Sequence, residues 1–210
     1  ATRPADARSC PLDMHTIYYI RHGKTEWNAD GRFQGLQDIP LNDLGRAEAV
    51  KAGDILRKLF AREGRDPLGL GFVTSPLSRA RGTMELMRGA LSLPPHDYSV
   101  DDRLREVGYG HWEGLTLAQM KAAHPEVFAA READKWSVAP PGGESYASAT
   151  ARLRDWYHSL KSGTVAVAHS GTARALLVVL SLQTPQAAAS LRIEQGAVYV
   201  LREDGLAKHS

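Results

Sequence analysis

The chain has 210 residues, 43% hydrophobic and 24% charged, with a formal net charge of +2. That balance is ordinary for a globular protein and too weak to argue for nucleic-acid or membrane-surface binding. A single cysteine, Cys10, rules out an intramolecular disulfide and permits a reducing compartment, and no stretch approaches the roughly 18 apolar residues of a spanning helix, so cytoplasmic is the default location.

Residues 1–13 carry arginines but no apolar run of the kind a secretory signal needs. They read as a tail, either an extension or an expression remnant, ahead of one domain over residues 14–210. Ile17-Tyr18-Tyr19-Ile20 predicts a buried strand and runs into Arg21-His22-Gly23-Lys24-Thr25-Glu26-Trp27-Asn28. Asn42 is a plausible N-cap for a helix reaching about Phe60, with Ala52, Ile55, Leu56 and Leu59 on its apolar face. The Gly64–Gly71 region, with Pro67, breaks it. Phe72-Val73-Thr74 predicts a short strand leading into Ser75-Pro76-Leu77-Ser78-Arg79, then a helix from about Leu77 to Ala90 and a strand near Asp97–Val100.

Residues 103–142 mix short helical stretches with Gly and Pro and read as a cap inserted over one end of the sheet, stopped by Pro140-Pro141-Gly142-Gly143. Tyr146 to Leu160 is helical in pattern. Thr164–Ala168 is wholly small or β-branched, as a parallel strand buried on both faces should be. Ala173–Leu182 predicts a helix and Ala197–Leu201 a last strand, antiparallel at an edge. The alternation predicts an α/β fold, a three-layer α/β/α sandwich on a mostly parallel sheet with an antiparallel edge strand and a small helical cap.

Several basic residues follow predicted strands, at the carboxyl end of the sheet where open α/β folds bind ligands. Arg21 and Arg79 offer planar forks that match phosphate oxygens. His169 also ends a strand, and Gly171 lets the chain turn into a helix whose N-terminus adds backbone donors. His22 is the candidate nucleophile, because a neutral imidazole nitrogen can attack phosphorus and divide one hard displacement into two. Taken singly, a strand-end histidine is more often structural and Arg79 a solvated helix cation. Arg81 keeps that solvated role, and Trp27, Trp112, Trp136 and Trp156 read as packing. His15, His96, His111, His124, His158 and His209 show no metal-ligand spacing, so neither a metal nor a cofactor is expected.

Four segments together carry more. They are Arg21-His22-Gly23, Thr74-Ser75-Pro76-Leu77-Ser78-Arg79-Ala80-Arg81-Gly82-Thr83, Leu104-Arg105-Glu106 through Gly110-His111-Trp112-Glu113-Gly114, and Ala168-His169-Ser170-Gly171-Thr172. In order and spacing they resemble the histidine phosphatase superfamily, the phosphoglycerate mutase-like family, over about Met14 to Val200. The resemblance implies a phosphohistidine on His22, with Arg21, Arg79 and His169 holding the phosphoryl group and His169 a protonated donor. It implies that Glu106 protonates the leaving alkoxide and then activates water. It also groups Thr25, Asn28, Gln34, Gly35, Tyr109 and Gly171 with the substrate contacts, and leaves Glu113 a structural carboxylate beside Trp112.

The superfamily holds hydrolases and transferases. Mutases carry an arginine directly after the catalytic glutamate, where this chain has Val107. Their lysine after the following glycine has no match in Leu115-Thr116-Leu117, nor has their arginine pair a match between Lys121 and Pro140. The pattern is nearer to α-ribazole and broad-specificity phosphatases. The expectation is a phosphomonoesterase acting on a small phosphorylated metabolite, with Lys121, His124, Arg131, Lys135 and Trp136 as candidate specificity contacts. A phosphoglycerate mutase, a fructose-2,6-bisphosphatase-like hydrolase and a binding module without turnover are the alternatives. Oligomeric state stays open, as no interface stripe stands out.

Overall fold

The computed structural model describes residues 16–210; the tail at 1–13, Cys10 and His15 lie outside the described residues. Its centre is one six-stranded sheet in the order β3-β2-β4-β1-β5-β6. Strands β1 (Ile17–Arg21), β2 (Gly71–Thr74), β3 (Ser99–Val100) and β4 (Thr164–Ala168) run parallel, while β5 (Val198–Arg202) and β6 (Gly205–His209) are antiparallel to their neighbours.

Alternation along the strands sorts their side chains into two cores. Tyr18, Ile20, Phe72, Val165, Val167, Val198 and Val200 face Ala52, Leu56, Leu59 and Phe60 of α2 (Asp43–Glu63), together with Ala80, Met84 and Met87 of α3 (Ser78–Ala90). Ile17, Tyr19, Val73, Ala166, Ala168, Tyr199 and Leu201 face Leu153 and Trp156 of α6 (Tyr146–His158), with Leu176 and Leu177 of α7 (Ser170–Val179). Helices on both faces of the sheet give the three layers that the sequence predicts.

The remaining helices are short. The one-turn α1 (Glu26–Ala29) follows the Arg21-His22 loop, and α8 (Pro185–Ser190) precedes β5. Helices α4 (Leu117–Ala123) and α5 (Pro125–Ala133) meet at His124 and pack over a small cluster of Tyr109, Trp112 and Met120. Both helices fall within the 103–142 stretch read as a cap.

Several boundaries move. Helix α7 begins at Ser170 rather than Ala173 because His169 is its extended N-cap residue, and Thr172 closes the first turn through a hydroxyl accepting His169 N–H at 3.1 Å. The edge assigned to Ala197–Leu201 belongs instead to β6, which pairs outside β5 across the Glu203-Asp204 turn.

The register sets the site. Arg21 pairs with Ala168 and Thr74 with Val167, so His22, Ser75 and His169 all emerge at one end of three adjacent strands. Behind the first of these loops, two glycines let backbone meet backbone. A Cβ on Gly23 would lie 2.1 Å from Gly45 O, and one on Gly45 would lie 2.0 Å from Lys24 O. Gly45→Ala is therefore expected to cost about 1–3 kcal/mol in urea unfolding through overpacking, and to lower phosphate release as well by displacing the loop after His22. Wild-type stability in that variant would remove this contact from the account.

Candidate active site

His22 is 2% exposed and its Nδ1 lies 2.7 Å from Gly23 O. A carbonyl only accepts, so Nδ1 carries the hydrogen and Nε2 keeps its lone pair. The ring sits 5.1 Å from that of His169, centroid to centroid. Burial, then the charges of Arg79 and Arg21, push the His22 pKa well below the usual histidine value. The free imidazole is thus neutral and nucleophilic.

The two arginines are aimed by backbone carbonyls. Arg21, at the end of β1, donates through Nη1 to Ile193 O at 2.8 Å. Arg79, 1% exposed in the first turn of α3, donates through Nη1 to Gln37 O at 2.6 Å and through Nη2 to Gly35 O at 2.8 Å. Its fork is therefore partly engaged, and the buried Nε atoms of both arginines have no hydrogen-bond partner. Burial lowers the Arg79 pKa to about 10. Gly35 has φ +51, and a Cβ there would strike the Glu113 carboxylate at 2.1 Å. Glu113 holds this loop by accepting from Leu36 N at 2.9 Å and Tyr109 N at 3.1 Å, the structural role expected of it.

His169 is fully buried, with Nε2 2.7 Å from Ser75 Oγ and Nδ1 buried without a partner. Burial and the charge of Arg79 hold its pKa well below the usual value. The protonated donor implied by the resemblance is therefore not the state of the free site. A neutral ring still donates through Nδ1 when the Ser75 hydroxyl donates to Nε2.

Glu106 is 7% exposed, and its Oε1 accepts from Val107 N at 2.9 Å and Gly171 N at 3.1 Å. This revises Gly171 twice. Its backbone N–H serves Glu106 rather than a ligand, and glycine is needed there because a Cβ would sit 2.5 Å from Glu106 Oε1, not because of a tight turn. Arg152 of α6 fixes the same segment, donating to Arg103 O at 2.5 Å and Arg105 O at 2.9 Å.

A cleft of about 260 Å³ has Arg21, His22, Asn28, Gln34, Gly35, Arg79, Glu106 and Tyr109 on its walls, while the fully buried His169 does not line it and sits behind His22. Thr25 is fully buried and does not line it. It caps α1, accepting from Asn28 N at 3.2 Å and donating to Gln34 Oε1 at 3.0 Å. That hydroxyl ties up the oxygen of Gln34 and leaves its amide N–H groups for the cleft.

Residues 17–208 match the model of the histidine phosphatase superfamily, branch 1. The chain belongs to the histidine phosphatase superfamily. This histidine phosphatase is 37% identical over 182 residues to glucosyl-3-phosphoglycerate phosphatase of Mycolicibacterium vanbaalenii, covering 80% of this chain and 75% of that protein. It is 32% identical over 188 residues to 2,3-bisphosphoglycerate-dependent phosphoglycerate mutase 2 of Gloeobacter violaceus, covering 86% and 82%. Among solved structures, a mycobacterial glucosyl-3-phosphoglycerate phosphatase superposes with a TM-score of 0.74 at 32% identity over 89% of each chain. A structure titled putative alpha-ribazole-5'-P phosphatase from Escherichia coli, at 22% identity over 94% of this chain and 95% of that one, shares the fold with a TM-score of 0.75.

Sequence reasoning passed over several residues of this phosphatase site. Arg174 lies one helical turn after Ser170 on α7, and both line the cleft with Arg32. Ser75 and Thr83 lie inside the second recognised segment but had no role assigned there; Thr83 orients the His22 loop by accepting from Gly23 N at 2.9 Å. Conversely, none of the five cap residues lines the catalytic cleft. Lys121 is exposed, and His124 accepts from Trp112 Nε1 at 3.0 Å. Trp136 packs on Tyr146. Arg131, which donates to Val138 O, and Lys135, 3.0 Å from Glu132, border a neighbouring cavity of about 170 Å³ that shares Phe33, Tyr109 and Arg174 with the cleft.

The two buried imidazoles make stability depend on pH. Their folded-state pKa values are lowered, so the unfolded chain takes up protons first as pH falls through about 6.5, which favours unfolding. Below that value, stability is expected to drop by up to about 1.4 kcal/mol per pH unit per imidazole. Urea melts between pH 7 and 5 check this, and the slope should flatten in the His22→Gln, His169→Gln double variant.

Proposed function

We propose that this chain is a metal-independent phosphomonoester hydrolase that works through a phosphohistidine on His22. The observation that carries the reading is the 2.7 Å contact from His22 Nδ1 to Gly23 O, which leaves Nε2 as a lone-pair donor in the field of Arg79 and Arg21. Uncatalysed phosphate monoester hydrolysis is among the slowest biological reactions, with accelerations of up to ~10²¹ to supply. Charge on the equatorial oxygens and in-line positioning do most of that work. Here Arg21, Arg79 and His169 Nδ1 supply donors around the phosphoryl group, and Asn28 and Gln34 add amide N–H groups.

In the first step His22 Nε2 forms a bond to phosphorus as the ester P–O bond breaks, and the departing oxygen takes a proton from Glu106. In the second, Glu106 takes a proton from water as the water oxygen attacks the phosphohistidine. The P–N bond breaks, His22 recovers its lone pair, and inorganic phosphate leaves. Glu106 suits both steps because it stands at the cleft wall on rigid backbone donors.

Hydrolysis rather than mutation of phosphoglycerate is favoured at Val107. Its side chain is fully buried against Gly171, so no cation stands where mutases have one. Arg32 and Arg174 at the cleft are the specific observation on the mutase side, because extra cations retain a second anionic group. The substrate is a small phosphorylated metabolite, and the glucosyl-3-phosphoglycerate phosphatase relatives make a phosphorylated sugar acid the first compound to try.

Phosphate release from a panel of phosphomonoesters in EDTA is the direct test, with 3-phosphoglycerate included. Release should persist without metal, fall by about three orders of magnitude or more in His22→Ala, and be accompanied in the wild type by an acid-labile phosphoenzyme. Isomerisation of 3-phosphoglycerate on adding 2,3-bisphosphoglycerate, with no ester hydrolysed, would instead establish the mutase. Glu106→Gln should slow alkyl phosphates far more than aryl esters with good leaving groups. An acid-side optimum is expected for the alkyl esters, and a flat rate from pH 5 to 8 counts against Glu106 as the acid.

A further inference from the structure

An amide side chain can turn either its oxygen or its nitrogen toward a ligand, and for a phosphoryl dianion the difference is attraction or repulsion. At Asn28 the choice is settled by the main chain. Thr25 N–H, which can only donate, lies 3.3 Å from Asn28 Oδ1. That bond is long, and a second donor secures the same oxygen, Gln195 Nε2 at 3.0 Å. With two donors on Oδ1, the N–H groups of Asn28 are the end left for the cleft that the residue lines.

Gln195 comes from a distant part of the chain, 167 positions after Asn28. It sits just ahead of β5, and its backbone bridges that of Arg21 in parallel. Two residues before it, the carbonyl of Ile193 receives Arg21 Nη1 at 2.8 Å. The segment that aims the Arg21 guanidinium thus also carries the side chain that reaches Asn28.

We propose that Gln195 is a positioning residue for phosphoryl binding, fixing the Asn28 amide with its N–H groups toward the substrate oxygens. It touches no reacting atom and acts through Asn28. The inference rests on the cleft being a phosphoryl site, the reading proposed for the whole protein. Because Asn28 meets oxygens present in both the ester and the transition state, Gln195 governs binding more than the chemical step.

The test is a double-mutant cycle in the full chain with Gln195→Leu, Gln195→Glu and Asn28→Ala, reading KM, kcat and inhibition by orthovanadate. Gln195→Leu should raise KM and the vanadate Ki about 5-fold with kcat within about 2-fold. Gln195→Glu should raise both further, about 10-fold or more, since a carboxylate has no donor for Oδ1 and favours the reversed amide. In the Asn28→Ala background neither substitution should have a further effect beyond about 2-fold.

An effect of Gln195→Leu that persists undiminished without Asn28, or a KM that does not move, overturns the proposal. Gln195→Glu is close to isosteric, and thermal melts of each variant separate lost folding from lost positioning. If the wild type hydrolyses no ester, the same cycle is read on vanadate affinity by calorimetry. Coupling between Gln195 and Asn28 there keeps this inference while the hydrolase reading fails.

Discussion

Like charges buried side by side are the constraint around which this structure is arranged. Burial lowers the pKa of both guanidinium groups, with Arg174 adding to the effect at Arg21 and Arg21 adding to it at Arg79, and both depress His22 and His169 beside them. Backbone carbonyls of Ile193, Gly35 and Gln37 answer the guanidinium groups, and the charge of Glu106 favours their protonated forms. Those carbonyls come from two loops, the Phe33–Gln37 turn and the segment ahead of β5, so both have to be rigid for the cations to be tolerated at all. The tight glycine contacts behind His22 and the capped turn at Thr25 supply that rigidity.

In the proposed mechanism, the same arrangement equips the His22 imidazole to act as the nucleophile. Burial disfavours charge on His22, two guanidinium groups disfavour it further, and the carbonyl of Gly23 fixes which nitrogen is free. The electrostatics that prepare the attack also prepare the landing place for the transferred group. A phosphoryl dianion relieves the repulsion between cations that an apolar ligand would leave in place. Binding and activation therefore draw on one feature of the site.

Much of this was legible in the sequence because the strands are short, apolar and punctuated by their own functional residues. Ile17–Ile20, Phe72–Thr74 and Thr164–Ala168 each end at a residue that emerges at the site, so finding the strand ends located Arg21-His22, Ser75 and His169 together. What the sequence did not disclose depends on partners far apart in the chain. Gln195 meets Asn28 only because β5 lies against β1, and Gly171 is required by Glu106 rather than by its own turn. The cap misled for a physical reason. Arg131 and Lys135 look like free cations in a polar stretch, yet one is held over the rings of Tyr109 and Tyr146 and by a backbone carbonyl, and the other reaches back from the turn after α5 to pair with Glu132.

Glu113 joins the cap to the charge centre mechanically. Its carboxylate receives N–H groups from Leu36 and from Tyr109, while the carbonyls on either side of Leu36 are the two that grip Arg79. The cap's first residues, the Phe33–Gln37 turn and the guanidinium therefore form a linkage with few soft joints. A displacement of the cap's first residues is passed through the Glu113 carboxylate to the turn whose carbonyls hold the Arg79 guanidinium, so the cap and this cation are set as one unit.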